Sequence, residues 1–316
     1  MRILIEVPTW LGDAIMSTPA IENLMNFHKG SEVTLVGSLL SLEVFRNHPN
    51  VSEFQVLSKK HFSLFNEAKK LGKFDLFFSF RNSFRSTFFK LCISSKYKYQ
   101  YKKNDVKKYH QVEKYNNFIN KSLNTQYFPG RLTIYTDVSL RVDINPGQKK
   151  RPLLGINPGA SYGNAKRWYP NEFADVAAKL SSQFDIVILG GINEKKIAMD
   201  IQALLLKKGV NNYQNLAGSF NVSELIQYIS TLDLLITGDS GPMHIAASFQ
   251  IPSITIFGPT RENETSQWMN PKSIVVKKSL DCQPCMKRVC PLKHHNCMRL
   301  IKSNDVIEAV NSLNLI

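Results

Sequence analysis

Long hydrophobic runs are missing from this sequence. Its apolar stretches last only a handful of residues, whereas a membrane-spanning helix needs about 18 in a row. The beginning, MRILIE, also lacks the apolar run of about 7–15 residues that marks a secretion signal. These two absences favour a cytoplasmic protein without a transmembrane helix.

Several motifs of common enzyme classes are missing as well. No G-x-G-x-x-G follows a predicted strand, and no G-x-x-x-x-G-K-[ST] occurs, so the dinucleotide fingerprint and the P-loop are both absent. H-E-x-x-H and G-x-S-x-G are absent too. The sequence therefore gives little support to a dehydrogenase, an NTPase or a common hydrolase.

Cysteine is scarce until the last forty residues. Four of the five cysteines follow one another closely, at Cys282, Cys285, Cys290 and Cys297, and a reducing compartment disfavours a disulfide framework. With His294 and His295 they supply enough ligands for tetrahedral zinc, although the spacing after the first pair is irregular for a zinc ribbon. We favour a packed, reduced thiol cluster and no metal, with structural zinc as the alternative.

Acidic residues are few. Forty Lys and Arg face 25 Asp and Glu among 316 residues, which gives a net charge of +15 and favours partners that carry phosphates or carboxylates. Residues 81–115 contain ten basic and two acidic residues, with lysine and tyrosine interleaved in KYKYQYKKNDVKKYH. Such a stretch is typical of nucleic-acid binding by charge and stacking, or of a solvated surface.

Strand and helix patterns alternate along most of the chain. The first half predicts strands at 2–7, 33–37 and 75–80, with the tyrosine-rich stretch that follows as loops and helices. The second half predicts five strands that alternate with helices, at 153–157, 185–191, near 213–217, 233–239 and 253–258. A Pro- and Gly-containing segment places the boundary near residue 150. We therefore predict an α/β protein of two doubly wound domains, residues 1–150 and 151–316.

Polar residues follow three of these strands, where parallel sheets bind ligands. Asp13 follows the first strand at the start of a helix, and it is either a helix cap or a general base. Pro19 is predicted to interrupt that helix and to begin a second one. Lys166 lies in a glycine-containing loop and offers a cation to a diphosphate. The segment GDSGPMHIAA places Pro242 at a helix start that suits a phosphate. Asp239 within it is predicted to accept from sugar hydroxyls or to cap the helix.

Taken together, these segments resemble glycosyltransferase family 9, the heptosyltransferases of lipopolysaccharide core assembly. The resemblance rests on VPTWLGDAIMSTPAIENL, FSFRNSFRS, HQVEKY, GINPGASYGNAKRWYP and ITGDSGPMHIAASFQIPSITIFGPT. The RNSFRS segment and the tail CQPCMKRVCPLKHHNCM are most similar to the second heptosyltransferases of the family.

The resemblance implies a GT-B fold, in which two Rossmann-like domains face a central cleft, with acceptor on the first and donor on the second. It implies that Asp13 is the general base of an inverting, metal-independent transfer from ADP-heptose. The donor-binding residues that it implies are Thr9, Trp10, Ser161, Lys166, Glu224, Asp239, Ser240, Gly241 and His244. On the acceptor side we expect contacts from Asn82, Ser83 and Arg85.

The resemblance also implies partners and a location. We expect ADP-heptose as donor, the lipopolysaccharide inner core as acceptor, no cofactor, no nucleic acid, and peripheral contact with the cytoplasmic face of the inner membrane. Two alternatives stay open from the residues themselves. One is another two-domain sugar-nucleotide enzyme, such as a hexose transferase or an epimerase. The other is a basic nucleic-acid-binding protein with a zinc-binding cysteine tail.

Overall fold

The chain folds into two compact units, Met1–Thr136 and Asp137–Ile316, in a computed structural model. The structure describes residues 1–58, 63–103, 109–136 and 151–314. Residues 137–150, where the sequence predicts the domain boundary, lie outside the described residues. Both units are parallel-sheet α/β structures, as predicted.

The first unit is built on a five-stranded parallel sheet in the order β3-β2-β1-β4-β5. Its strands are β1 (Arg2–Glu6), β2 (Glu32–Gly37), β3 (Glu53–Val56), β4 (Lys73–Ser79) and β5 (Ser94–Gln100). Its helices are α1 (Leu11–Met16), α2 (Thr18–Phe27), α3 (Leu39–Leu42), α4 (Ser63–Leu71), α5 (Phe84–Cys92) and α6 (Gln111–Leu123). The chain reverses its direction of winding between β1 and β4, which is the position where such sheets bind ligands.

The second unit has a six-stranded parallel sheet in the order β11-β10-β9-β6-β7-β8. Its strands are β6 (Leu153–Asn157), β7 (Asp185–Ile188), β8 (Tyr213–Asn215), β9 (Leu234–Gly238), β10 (Ser253–Ile256) and β11 (Ser273–Val276). Its helices are α7 (Pro170–Leu180), α8 (Lys195–Lys207), α9 (Val222–Ser230), α10 (Gly241–Ser248), α11 (Glu262–Thr265), α12 (Asn296–Arg299) and α13 (Ser303–Ser312). This is the Rossmann strand order, with the reversal between β6 and β9.

Three strands escaped the sequence prediction, and all are at or next to a sheet edge. Strands β3, β5 and β11 are edge strands. Polar residues interrupt β3 and β5, which therefore lack the continuous apolar run of a buried parallel strand, and the apolar run of β11 is only three residues long. The prediction of loops and helices after residue 80 is therefore wrong at β5, where alternating Lys and Tyr side chains form a strand. The second unit likewise has six strands where five were predicted.

The interruption of the first helix is as predicted. Helix α1 ends at Met16 and α2 begins at Thr18 with Pro19 in its first turn, because proline cannot donate the helical hydrogen bond to Ile15. Each unit has its own apolar core on the buried sheet faces. Within the described part of the chain, no helix is long and apolar enough to cross a membrane.

Candidate active site

Asp13 lies in the first turn of α1 and is not its N-cap. The N-cap is Trp10, which has an extended backbone and makes no side-chain capping bond, so the capping interpretation of Asp13 is wrong. The partial positive charge at a helix start favours a carboxylate in this turn. Asp13 is half-buried, which leaves part of its surface open to a substrate.

A buried tyrosine donates to Asp13. The Tyr115 hydroxyl lies 3.5 Å from Asp13 Oδ1, and its ring packs edge-on against Phe80 and Tyr101. Burial, followed by the negative charge of Asp13, raises the pKa of Tyr115 well above its ordinary value of 10. The phenol is therefore a hydrogen-bond donor at neutral pH. Tyr115 ends the HQVEKY segment, but nothing in the sequence showed that it reaches Asp13.

A second buried carboxylate organises the segment after β4. Glu6, the last residue of β1, accepts from Ser79 Oγ at 2.5 Å, Ser86 Oγ at 3.1 Å and Arg81 Nη1 at 3.2 Å. Burial raises the pKa of Glu6, and Arg81 is the largest influence that lowers it. Glu6 thus fixes the RNSFRS segment to the end of the sheet, a role that sequence reasoning missed.

The three predicted acceptor residues have different surroundings in that segment. Ser83 is the N-cap of α5 and accepts from the Ser86 amide at 3.2 Å. Arg85 donates to the Ser58 carbonyl oxygen, and burial lowers its pKa. Asn82 is exposed. Ser83 and Arg85 therefore stabilise local structure, and acceptor binding by all three residues stays a prediction.

Thr9 and Trp10 form the turn between β1 and α1. The Thr9 carbonyl accepts from Ser38 Oγ at 3.1 Å, and the Trp10 side chain is 54% exposed. The turn is thus tied to the end of β2, while the indole is available to a ligand. Their predicted donor contacts remain predictions.

In the second unit, Asn157 joins the two strand ends at the sheet reversal. Its Nδ2 donates to Thr237 Oγ1 at 3.0 Å and to Ser240 Oγ at 3.2 Å. Ser240 is the N-cap of α10 but makes no side-chain capping bond, and Pro242 lies in the first turn as predicted. The amides that begin α10 at Gly241 are the kind of donors that bind anions.

Lys166 and Asp239 form an ion pair beside this helix start. Lys166 Nζ lies 2.5 Å from Asp239 Oδ2 and 3.3 Å from the Asp239 carbonyl oxygen. Thr260 Oγ1 donates to the same carboxylate oxygen at 2.6 Å. The structure therefore brings Lys166 and Asp239 together, and it gives Asp239 an ion-pair role in place of the predicted helix cap. Its predicted contact with sugar hydroxyls stays a prediction.

The sequence of this chain is similar to a known protein family over most of its length. The sequence model of glycosyltransferase family 9 (heptosyltransferase) matches residues 68–296. Lipooligosaccharide heptosyltransferase 2 of Campylobacter jejuni subsp. jejuni serotype O:6 is 39% identical to this chain over 99% of each sequence. The chain belongs to glycosyltransferase family 9.

Two solved structures have the same fold as this family 9 chain. A glycosyl transferase family 9 protein from Veillonella parvula DSM 2008 superposes with a TM-score of 0.83 and 23% identity over 99% of this chain and 97% of its own. E. coli ADP-heptose lps heptosyltransferase II gives a TM-score of 0.80 and 22% identity over 100% and 99%. The GT-B fold class predicted from the sequence is confirmed.

The remaining residues that are predicted to bind the donor lie in different surroundings. Glu224 is exposed and forms a capping box with Asn221, whose amide it accepts at 2.7 Å. Ser161 is exposed at the start of the Lys166 loop, and His244 is buried in the first turn of α10. Glu224 therefore stabilises the start of α9, and the donor-binding roles of all three residues stay predictions.

Glu194 is a buried acid that sequence reasoning missed. Its Oε2 accepts from the Gly191 amide at 2.5 Å, and a Cβ on Gly159 would come within 2.4 Å of its side chain. Gly159, in the quoted GINPGA motif, therefore leaves room for this carboxylate. The glycine was the available signal, because only a small residue fits such a close approach.

The cysteine-rich segment braces the Lys166 loop. The Ala165 amide donates to the Arg288 carbonyl at 3.1 Å, and Tyr162 Oη donates to the Met286 carbonyl at 2.8 Å. His295 Nε2 lies 3.0 Å from the Ala165 carbonyl oxygen. The segment is therefore part of the structure around Lys166, which its sequence did not indicate.

The four clustered cysteines line a small cavity of about 20 Å³ with His294 and His295. All are free thiols, and burial raises the pKa of Cys297 to about 11, with the neighbouring cysteines adding to the effect. Among the described residues, no three His, Cys, Asp or Glu side chains are arranged to hold a metal ion. A metal-free protein stays a prediction, which elemental analysis tests.

Proposed function

We propose that this chain transfers heptose from ADP-heptose to a heptose of the lipopolysaccharide or lipooligosaccharide inner core. The observation that carries the proposal is the full-length similarity to a lipooligosaccharide heptosyltransferase 2, 39% identical. The structural neighbour from E. coli is an ADP-heptose lps heptosyltransferase, which supports ADP-heptose as the donor. The proposal places acceptor binding on the first unit and donor binding on the second.

In this mechanism Asp13 is the general base. Its carboxylate takes the proton from an acceptor hydroxyl while that oxygen attacks the anomeric carbon of the donor heptose. The bond between the anomeric carbon and the ADP oxygen breaks on the opposite side, so the configuration inverts and ADP leaves with the electron pair. The Tyr115 hydroxyl, 3.5 Å from Asp13, orients the carboxylate as a hydrogen-bond donor.

The leaving diphosphate is stabilised by groups of the second unit. Lys166 and the amides that begin α10 supply positive charge where the ADP oxygen becomes negative. These donors are already fixed, because Asp239 holds the ammonium, Thr260 holds the Asp239 carboxylate, and Asn157 holds Ser240. The proposal therefore needs no divalent ion.

The lysine- and tyrosine-rich stretch is assigned to the acceptor side of the enzyme and not to nucleic acid. Two of its tyrosine rings are used inside the fold, since Tyr99 stacks on Phe78 with ring centroids 5.0 Å apart and Tyr101 is buried, whereas Tyr97 and Tyr109 are exposed. Tight, salt-sensitive binding of DNA or RNA by the wild-type protein would contradict this assignment.

The proposed function is tested by mass spectrometry of a core glycolipid that carries one heptose, incubated with ADP-heptose and the protein. We expect the addition of one heptose by the wild type. The Asp13→Asn variant is expected to lose about 100- to 10,000-fold in turnover while it binds ADP as the wild type does. Wild-type turnover by a folded Asp13→Asn protein would remove Asp13 from its role, and no addition by the wild type would contradict the function.

A further inference from the structure

Helix α5 carries an exposed apolar stripe. Phe84 is 83% exposed, Phe88 38% and Leu91 71%, and their spacing of four and three residues places them on one helix face. The opposite face is buried against the sheet through Ser86 and Phe89. Scattered exposed apolar residues need no explanation, but a contiguous stripe of large ones indicates a surface that is covered in use.

A lysine-lined cavity borders the same helix. It encloses about 500 Å³, and five lysines line it, namely Lys90, Lys98, Lys102, Lys114 and Lys121, whereas its described lining contains no Asp or Glu. Lys90 belongs to α5, and Lys98 Nζ lies 3.5 Å from the Leu91 carbonyl oxygen. The positive charge and the apolar stripe therefore form one continuous surface.

We propose that this surface, the α5 stripe with its lysine cavity, docks the enzyme on an anionic membrane. An apolar helix face flanked by lysines is the combination that binds the interface of acidic lipids. The lysines would attract anionic headgroups, and the two Phe and the Leu side chains would enter the headgroup boundary. An anionic protein partner would match the charge as well, but the bilayer-anchored acceptor of the proposed function favours a membrane.

The position of α5 relative to the candidate acceptor residues supports a membrane in particular. The helix begins directly after Asn82 and Ser83, and its nine residues span about 13 Å. A glycolipid acceptor stays anchored in its bilayer, so the enzyme must bring its acceptor site close to the membrane surface. The inference rests on the proposed function for this reason, but its test uses no donor and no acceptor.

The test measures sedimentation of the full-length protein with vesicles of phosphatidylcholine, with and without phosphatidylglycerol. We expect binding to the anionic vesicles that weakens as salt rises from about 0.1 M to about 1 M, since the screening length then falls from about 10 Å to about 3 Å. Lys98→Gln with Lys121→Gln should weaken binding about 25-fold, at about fivefold per lysine. Phe84→Ser with Leu91→Ser should weaken it about tenfold or more.

Matched controls change the same residue types on other surfaces. Lys29→Gln with Lys207→Gln removes two exposed lysines elsewhere, and Phe128→Ser with Leu206→Ser replaces exposed side chains that are 92% and 55% accessible. These controls should bind vesicles as the wild type does. Circular dichroism checks folding, and the lysine pair tests the surface independently of the apolar pair.

Three results would overturn the proposal. The first is no binding of the wild type to anionic vesicles, or binding by both α5-surface variants that is as tight as that of the wild type. The second is loss of self-association in Phe84→Ser with Leu91→Ser while vesicle binding is unchanged, which would assign the stripe to a second copy of the chain. The third is unchanged vesicle binding by the lysine variant with weakened binding of a water-soluble acidic saccharide. Absence of heptose transfer would leave the vesicle result standing and would contradict only the proposed function.

Discussion

At the scale of single residues, Lys166 is held by a carboxylate and not by solvent alone. Its ammonium lies 2.5 Å from Asp239, and the side chains of the pair are 12% and 6% exposed. Removal of one partner from such a pair leaves the other charge buried and unpaired, which costs more than the pair contributes. The two residues must therefore be read as one unit when a diphosphate is proposed to bind there.

Lys166→Ala is expected to weaken ADP binding about 10- to 100-fold, through the lost charge-assisted contact and the Asp239 carboxylate that is left buried and unpaired. Asp239→Asn in the same protein removes the carboxylate, so the double variant should bind ADP more tightly than Lys166→Ala alone. Titration calorimetry with ADP measures both. Wild-type affinity in Lys166→Ala, or no recovery in the double variant, would contradict this account of the pair.

Glu6 predicts a pH dependence of stability. Burial raises the pKa of Glu6 above its ordinary value of 4.5, so the folded state favours the protonated carboxyl. The stability that this preference contributes is fully present below pH 4.5 and is lost as the pH rises through the raised pKa. Glu6→Gln has no such titration, so its free energy of unfolding should rise relative to that of the wild type between pH 4 and pH 7.

Urea denaturation of Glu6→Gln and the wild type at pH 4 and pH 7 checks this difference. Glu53→Gln, at an exposed position on β3, is the control. A free energy of unfolding of Glu6→Gln that falls relative to that of the wild type as the pH rises would reverse the sign and contradict the burial argument.

At the scale of elements, the segment before α12 holds the Lys166 loop through His295. Because the Ala165 carbonyl oxygen can only accept, Nε2 carries the hydrogen and donates. The other ring nitrogen, Nδ1, lies 3.1 Å from the Tyr169 hydroxyl. Both ring nitrogens are thus used to position the backbone next to Lys166.

His295→Ala is therefore expected to raise the KM for ADP-heptose about tenfold, one lost positioning contact of about 1.4 kcal/mol, with little change in kcat. His295→Gln retains a side-chain donor and should recover part of the affinity. A variant that is simply misfolded would lose kcat as well. Equal KM values for His295→Ala and His295→Gln would contradict a positioning role for the side-chain N–H of residue 295.

The elements that sequence patterns predict best are the buried strands. Strands β1, β6 and β9 are near-continuous apolar runs, because both faces of a parallel strand are covered. The edge strand β5 lacks that signal, because it alternates Lys and Tyr, and the apolar run of the edge strand β11 is only three residues long. The polar residues predicted at strand ends follow β1, β6 and β9 in the structure, because these are the buried strands that the sequence identifies.

At the scale of the whole molecule, the contacts that define each candidate site join distant parts of the chain. Tyr115 meets Asp13 across 102 positions, and Lys166 meets Asp239 across 73. Local patterns identify strand ends and helix starts, but they hold no information on which side chains meet across such separations. Glu6 and Glu194 were missed for the same reason, because a buried carboxylate in a strand or turn has no distinct local pattern.

The last prediction concerns the charge balance of the complete reaction. The proposed transfer neutralises the leaving diphosphate with Lys166 and the α10 amides, so activity in excess EDTA should stay within about twofold of that with Mg²⁺, since preorganised donors need no ion. Loss of most activity in EDTA would contradict this. Lys166→Ala sharpens the test: its diphosphate site lacks the cation, so Mg²⁺ should restore part of its ADP affinity while leaving that of the wild type unchanged. The comparison separates a protein that supplies the charge itself from one that depends on a bound metal, because the second would gain ADP affinity from Mg²⁺ in the wild type as well.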